Sequence, residues 1–156
     1  MGLEIERKYT VNEKVHDLIK GLPSGEEICQ GYLNSTPERT VRVRIKGQKA
    51  YLTVKGKNEG IFRAEFEYEI PIDDARKLLP LCEPFCIEKT RYTFSLDNLT
   101  WELDVFQGAH SGLIIAELEL EDADLSINLP EWIDKEVSDD PRYYNSNLAK
   151  TGSLKL

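Results

Sequence analysis

The sequence predicts a mainly β protein of the α+β class, in which a closed eight-stranded antiparallel β-barrel forms a tunnel and a few short helices lie outside it. Three observations lead to this prediction. About eight segments alternate apolar with charged residues at a period of two, the pattern of strands with two different faces. Turn signals such as the two-residue link Asp97-Asn98 separate several of them, which favours antiparallel neighbours. A sheet of about eight strands can close into a barrel that holds side chains or one small ligand.

The strands are assigned in chain order from this alternation. In the hairpin expected to turn around Gly47, Arg42 and Arg44 alternate with Val41 and Val43. The same rhythm of charged and apolar residues recurs along the rest of the chain. The predicted strands cover residues 2–9, 28–33, 40–55 (the hairpin), 62–70, 87–96, 99–106 and 114–121.

Three or four short helices are expected between and after the strands, and three of them can be placed in the sequence. The side chain of Asn or Asp can accept hydrogen bonds from the free N–H groups of a first helical turn, and a proline in that turn loses no hydrogen bond. The expected helices run from the cap Asn12 to Lys20, from the cap Asp73 through Leu79, and onward from Asp140-Pro141.

The whole chain is expected to form one domain over residues 1–156. Its formal charge of −8 and pI near 4.9 argue against a nucleic-acid partner, because counterion release needs a basic surface. No segment approaches the roughly 20 apolar residues of a spanning helix, and the charged N-terminus is unlike a signal peptide. We therefore expect a cytoplasmic protein with no membrane partner. Cys29, Cys82 and Cys86 are expected to be reduced thiols that the chemistry does not need.

The charges are separated by strand, and this is the most informative feature of the sequence. An antiparallel sheet with its charged face in water remains an alternative for any single strand. A face in water, however, would be expected to mix both signs within a strand. Taken together, the strands favour a barrel interior with opposed acidic and basic patches. Acidic pairs stand at 4/6, 65/67, 102/104 and 117/119, and basic pairs at 42/44 and 89/91, with Lys55 alone.

Such an interior requires a charged ligand, because burying an uncompensated charge costs several kcal/mol. Clustered carboxylates suit a hard divalent cation, whereas clustered Arg and Lys residues suit a polyanion. Two histidines, His16 and His110, are too few to indicate an imidazole site. The pattern predicts Mg²⁺ or Mn²⁺ together with a phosphate chain, since the metal can bridge carboxylate to phosphate.

An ordered set of motifs runs through nearly the whole chain. One Glu-x-Glu alone would be a weak signal, but the complete set in this order is highly specific. The motifs are Glu4-Ile5-Glu6-Arg7-Lys8, Gln30-Gly31-Tyr32-Leu33, Arg42-x-Arg44, Leu52-Thr53-Val54-Lys55-Gly56, Arg63-x-Glu65-x-Glu67, Lys89-Thr90-Arg91-Tyr92, Glu102-Leu103-Asp104-Val105, Glu117-x-Glu119 and Asp140-x-Arg142-Tyr143-Tyr144-Asn145. With these motifs the chain resembles the CYTH, or triphosphate tunnel metalloenzyme, superfamily, and within it the small bacterial inorganic triphosphatases.

The resemblance implies a tunnel that hydrolyses inorganic triphosphate to phosphate and pyrophosphate. It implies Mg²⁺ or Mn²⁺, two per site, with one ion neutralising the phosphate chain and one positioning water, and it permits a homodimer. Lys8 and Tyr32 stand at the places associated with water activation, although Tyr32 as a wall hydroxyl that only binds phosphate remains an alternative. The implied phosphate-binding residues are Lys8, Arg42, Arg44, Lys55, Lys89 and Arg91; the implied metal ligands are Glu4, Glu6, Glu117 and Glu119, helped by Asp104, with Glu65 and Glu67 in support.

Other functions remain possible on the same scaffold. They are class IV adenylyl cyclase, thiamine triphosphatase and nucleoside triphosphatase, together with a non-catalytic polyphosphate binder. The sequence marks no adenine or thiazole pocket, since Trp101 falls in the outward phase of its strand and Trp132 lies near the expected C-terminal helix.

Overall fold

The structure of the protein, a computed structural model, describes residues 2–152. Nine strands lie within that range: β1 Gly2–Val11, β2 Glu26–Asn34, β3 Arg39–Lys46, β4 Lys49–Gly56, β5 Phe62–Ile70, β6 Ile87–Leu96, β7 Leu99–Gln107, β8 Ile114–Glu119 and β9 Ile133–Glu136. The helices are α1 Val15–Lys20, α2 Ile72–Leu78 and α3 Asn145–Thr151, and short 3-10 turns cover Leu79–Leu81, Gly108–His110 and Pro141–Tyr143. None of the helices in this range is long and apolar enough to cross a membrane.

The barrel closes because β1 is long enough to pair with different partners along its length. Its first residues pair with β5, where Leu3 lies opposite Ala64, and its middle pairs with β8, where Glu6 lies opposite Glu119. The ring runs β1-β5-β4-β3-β2-β6-β7-β8 with every pairing antiparallel. The predicted eight-stranded antiparallel barrel is confirmed.

The ninth strand, β9, was not predicted. It adds to the far end of β1, where Tyr9 lies opposite Glu136. Its four residues contain a single apolar side chain, Ile133, so the alternation that reveals the other strands is missing. The tight hairpin between β6 and β7 is present as expected, with positive φ at both Asp97 and Asn98.

The helix starts differ from the predicted ones. Asn12 does accept a hydrogen bond from the backbone N–H of Lys14, but α1 begins only at Val15. The prediction that Asp73 caps α2 is wrong, because α2 begins at Ile72 and Asp73 lies inside its first turn. The predicted C-terminal helix also begins later than expected. Asp140 caps a 3-10 turn over 141–143, and extended backbone at residue 144 separates that turn from α3.

The outer wall of the barrel is covered by helices and by the segment before β9. Tyr9, Trp101 and Leu118 are buried with Trp132 on one side, where the two indole rings lie 5.2 Å apart. Both tryptophans therefore lie outside the barrel interior. A second apolar cluster, around Ala75 of α2, covers the wall formed by β3 and β4.

One end of the barrel interior is closed by α3. Ile87, Phe106 and Ile115 lie in the same strand phase as the charged residues, so they point inward, and they pack against Tyr143 and Leu148. The interior thus has an apolar floor beneath a charged wall. This floor brings the N-terminal end of α3 next to the charged residues.

Candidate functional site

The barrel encloses a cavity of about 200 Å³ whose wall is almost wholly charged. Residues two apart on a strand share a face, so the charged phase of each strand contributes to one wall. All six cations expected to bind phosphate line the cavity: Lys8, Arg42, Arg44, Lys55, Lys89 and Arg91. Six expected carboxylates line it as well: Glu4, Glu6, Glu65, Glu67, Glu117 and Glu119.

Opposite charges on this wall meet in ion pairs. Lys55 on β4 lies 2.9 Å from Glu4 on β1 and 3.2 Å from Glu65 on β5. Lys8 on β1 lies 3.8 Å from Glu117 on β8. The pairs of Lys55 form where an acidic half of the barrel meets a basic half. The acidic strands β7, β8, β1 and β5 are consecutive in the ring, and the strands of the basic half, β4, β3, β2 and β6, are consecutive as well, so the expected opposed patches are confirmed. Ion pairs join the halves at the β4/β5 and β6/β7 boundaries.

Asp104 does not reach the cavity. It is fully buried inside the barrel beneath Lys89 and Arg91, where it accepts hydrogen bonds from Lys89 Nζ at 2.7 Å and from Arg91 Nε and Nη2 at 2.7 and 2.9 Å. Burial alone would raise the pKa of Asp104, but the charges and hydrogen bonds of Lys89 and Arg91 hold it well below its usual range. Its oxygens orient two cations rather than face the space where a metal would lie.

Glu6 is a partly buried carboxylate that has no cation paired with it. No ion pair to Glu6 forms among residues 2–152. Burial and the charges of Glu117 and Glu4 raise its pKa to about 8, against a smaller opposing effect of Lys8 and Lys55. A carboxylate with no cation paired to it can supply the oxygen ligands that a hard divalent cation requires.

The side chains as they stand are not gathered around a metal position. Across the described residues, no three His, Cys, Asp or Glu side chains converge closely enough to hold an ion. Several carboxylates are turned to cations instead, as Glu4 is to Lys55. The fit to a divalent cation therefore rests on the donor chemistry and on the charge missing around Glu6.

Around Arg42 and Arg44 the wall carries an excess of positive charge. Burial and the charges of Arg42 and Arg91 lower the pKa of Arg44 to about 9. Arg42 Nη2 donates to Thr53 Oγ1 at 3.2 Å, yet its buried Nε has no hydrogen-bond partner in the described part of the chain. Crowded guanidinium groups with a buried unused donor fit the oxygens of a phosphate chain.

Lys8 and Tyr32 both lie on the cavity wall. Burial favours the neutral amine of Lys8, but the charges of Glu117 and Glu6, with those of Tyr32 and Glu4, outweigh burial and raise the pKa of Lys8. A general base needs the opposite shift. As the residues stand, Lys8 is a protonated donor, and it would lose a proton only after cations had cancelled the charge on its carboxylate neighbours.

Five further residues line the cavity that the sequence predictions did not assign to the site. Glu102 on β7 was expected on the interior wall as part of an acidic pair but was given no role, and Lys46 and Arg63 belong to the charged phases of β3 and β5, so strand alternation could have found them. Asn145 and Ser146 begin α3. Alternation carries no signal for a helix that closes the barrel, and only the motif that ends at Asn145 pointed to this segment.

Comparisons with known proteins give a consistent result over almost the full chain. The family model described as the CYTH domain matches residues 2–144. An inorganic triphosphatase of Acetivibrio thermocellus is 48% identical over 151 residues, which cover 96% of this chain and 95% of that protein. An inorganic triphosphatase of Nitrosomonas europaea is 37% identical over 155 residues, which cover 94% and 96% of the two chains.

Solved structures share the barrel. The crystal structure of an inorganic triphosphatase matches with a TM-score of 0.65 and 34% identity, covering 100% of this chain and 97% of the other. A putative adenylate cyclase from Bacillus halodurans matches with a TM-score of 0.58 at 16% identity, covering 79% and 84%. At that low identity the second likeness is one of fold alone.

Proposed function

The chain belongs to the CYTH domain family, and from this premise we propose that it is an inorganic triphosphatase that hydrolyses triphosphate to phosphate and pyrophosphate in the barrel cavity. The observation that carries the proposal is the balance of charge on the wall. Eight cationic side chains and seven carboxylates line the cavity. A polyanion alone would compete with the carboxylates for the cations, and a metal alone would compete with the cations for the carboxylates, whereas a triphosphate accompanied by divalent cations is close to neutral and offers partners to both sets.

The size of the cavity favours inorganic triphosphate over compounds with an organic group. At about 200 Å³ it is smaller than the roughly 300–1,000 Å³ of pockets that enclose drug-sized ligands. Among the described residues Tyr32 is the one aromatic side chain on its wall, and no aliphatic side chain lines it. A nucleoside or thiamine group would therefore have to lie beyond the cavity mouth.

The chain's own residues supply charge and orientation. Arg42, Arg44, Lys89 and Arg91 would hold phosphate oxygens, with Lys55 and Lys8 completing the set, and their fixed charges would stabilise charge that shifts toward the leaving pyrophosphate. In this assignment Asp104 is a positioning residue for Lys89 and Arg91 rather than a metal ligand. Water adds to the terminal phosphorus, the bond to the bridging oxygen breaks, and pyrophosphate leaves.

We assign the metal side to Glu4, Glu6, Glu117 and Glu119. Divalent cations, Mg²⁺ or Mn²⁺ and two per site, would neutralise the phosphate chain and increase the acidity of the attacking water. Glu65 and Glu67 would support Lys55 and Arg42, with which they form ion pairs at 3.2 and 3.6 Å.

Lys8 would act as a protonated donor to the transferred phosphate, and it would exchange a proton with water only when its carboxylate neighbours are neutralised. The Tyr32 hydroxyl would orient the water or a phosphate oxygen. The free thiols of Cys29, Cys82 and Cys86 take no part in this scheme and are compatible with activity in the cytoplasm.

A substrate panel tests the proposal. The purified protein is incubated with inorganic triphosphate, ATP or thiamine triphosphate, each with Mg²⁺, with Mn²⁺ or with a chelator, and the products are separated. We expect phosphate and pyrophosphate from triphosphate, a much lower kcat/KM with the other two, and no turnover in chelator. Cyclic AMP from ATP, or faster turnover of thiamine triphosphate, would replace our assignment. Tight triphosphate binding without turnover under any metal would establish a binder.

A further inference from the structure

Asn145, at the start of α3, links the C-terminal segment to the charged wall. Its side-chain oxygen Oδ1 accepts two hydrogen bonds, one from Lys89 Nζ on β6 at 3.2 Å and one from Gln30 Nε2 on β2 at 3.2 Å. Lys89 is 1% exposed and Gln30 is fully buried, so both contacts are shielded from bulk water. Asn145 itself lines the cavity.

The contacts continue on both sides of Asn145. Gln30 Oε1 accepts from Arg44 Nε at 2.6 Å. Lys89 Nζ donates to Asp104 as well, and Asp104 accepts from Arg91. Three phosphate-binding cations on β3 and β6 are thus connected through two neutral amides and one carboxylate.

The neutral amides do something that the carboxylate cannot. A carboxylate holds a cation and cancels its charge, whereas an amide oxygen holds it and leaves the charge available to a ligand. The ammonium of Lys89 has three donors, and two are committed to Asp104 and Asn145. The cations repel one another, so without these acceptors they would move apart when the cavity holds no anion.

We propose that Asn145 is a positioning residue, whose side-chain oxygen holds the Lys89 ammonium directly and the Arg44 guanidinium through Gln30 in place for phosphate without neutralising either. The inference rests on the proposed function, because it assumes that these cations bind phosphate. It assigns to the C-terminal segment a role in substrate binding beyond closing the barrel.

The helix is anchored by contacts that do not involve the Asn145 side chain. His110 lies 2.7 Å through Nε2 from the carbonyl oxygen of Leu148, and the backbone N–H of Phe85 donates to Ala149 at 3.0 Å. Leu148 and Ala149 are fully buried. Substitution at position 145 should therefore leave α3 in place, and the experiment can separate positioning from folding.

The test compares Asn145→Ala and Asn145→Asp with the wild-type protein. Asn145→Ala removes the acceptor, whereas Asn145→Asp keeps its shape and adds a negative charge beside Lys89. We expect Asn145→Ala to raise KM for triphosphate about tenfold, as for loss of one hydrogen bond to a charged group, with kcat changed less than threefold. We expect Asn145→Asp to raise KM further, although it is the more conservative change in shape.

Asn147→Ala and Asn147→Asp are the matched controls. Asn147 lies two residues further along α3, donates from Nδ2 to the carbonyl oxygen of Pro141, and does not line the cavity. These variants repeat the truncation and the charge change on the same helix. We expect KM to stay within twofold of wild type for both, and thermal midpoints are measured for all variants.

Calorimetric binding of pyrophosphate with Mg²⁺ gives a second readout that needs no turnover. We expect weaker binding in the order wild type, Asn145→Ala, Asn145→Asp. A purely structural role would lower the thermal midpoint and the active fraction, would leave KM unchanged, and would make Asn145→Asp the milder variant; an unchanged KM or a milder Asn145→Asp overturns the proposal. Wild-type protein that binds pyrophosphate but does not hydrolyse triphosphate would contradict the proposed function. The order of pyrophosphate affinities among the three proteins would then still test the role of Asn145. Wild-type protein that binds neither compound would overturn both.

Discussion

Lys89 and Asp104 meet on neighbouring strands with 2.7 Å between the ammonium Nζ and carboxylate Oδ2, and each side chain is only 1% exposed. The same carboxylate also holds Arg91. One buried anion therefore orients two of the cations that face the cavity. Removing a partner from such a pair leaves an uncompensated buried charge, which is far more costly than breaking an ion pair in water.

The Asp104→Asn variant should lose stability. Lys89 and Arg91 would share a neutral amide and repel each other, so we expect the free energy of unfolding to fall by about 3–5 kcal/mol. Urea denaturation of the metal-free protein measures it. Glu131→Gln, which breaks the exposed pair with Lys14, is the control and should have almost no effect. An Asp104→Asn variant as stable as this control would contradict the buried-pair assignment.

The stability of the metal-free protein should decrease as the pH rises toward 8. The pKa of Glu6 is raised to about 8 in the folded protein from an ordinary value of 4.5, so the folded state holds a proton that the unfolded state has released. Stability from this group is complete below about pH 4.5 and is lost as the pH rises through 8. Denaturation in chelator between pH 5 and 8.5 measures the slope. Glu6→Gln should reduce it, and an unchanged slope would be the contrary result.

Glu117→Gln should lower activity strongly. Glu117 lines the cavity and would lose the charge that holds a divalent cation, so kcat/KM for triphosphate should fall by roughly a hundredfold or more. The matched control is Glu69→Gln, whose carboxylate shares the charged phase of β5 but pairs with Lys49 in solvent. Activity of both variants is measured over a metal titration. Equal activity of the two variants would contradict the assignment of Glu117 to the metal side.

Arg44→Met should bind phosphate less well and yet be stabilised in the absence of ligand. The lowered pKa of Arg44 reflects burial and repulsion from Arg42 and Arg91, so its charge costs stability when the cavity is empty of anions. Thermal midpoints are measured with and without pyrophosphate. We expect the variant to unfold at a higher temperature than wild type in plain buffer and to gain less from pyrophosphate. A lower midpoint in plain buffer would show that the guanidinium stabilises the empty barrel.

The thiols should be dispensable. Burial, with the charges of Cys86 and Cys29, raises the pKa of Cys82 to about 11, and burial likewise raises the pKa values of Cys29 and Cys86. Thiols with raised pKa values are poor nucleophiles near neutral pH. Iodoacetamide at pH 7.5 should react slowly, and the Cys82→Ser variant should keep wild-type kcat/KM. Rapid inactivation by iodoacetamide that Cys82→Ser prevents would assign this thiol a role.

Much of the fold could be predicted because most strands alternate cleanly. Arg42 and Arg44 alternate with valines, and Asp97-Asn98 marks its hairpin directly. The ninth strand could not be predicted, since Ile133 is its single apolar residue. The start of α2 was misplaced because Asp73 is a good capping residue in isolation, whereas in the structure Pro71 ends the preceding extended segment.

The candidate site was predictable in its members and less so in their contacts. Lys55 was expected on a phosphate side, yet it pairs with Glu4 and Glu65. Asp104 was expected to help with metal and is instead buried behind Lys89. Asn145 carries no periodic signal, because a helix that closes a barrel reaches the wall from outside the sheet.

The sequence by itself determined which side chains share a face, because the pleat of a strand sends alternate residues to opposite sides whatever its neighbours are. Charged faces on most of the strands were therefore readable from residue types alone. Only the tertiary structure decided which charges meet, since this depends on strand order, register and closure through β1. That order left Glu6 without a cation and Arg42 with an unused buried donor, and it brought Asn145 to Lys89, because contacts across a barrel join residues far apart in the chain.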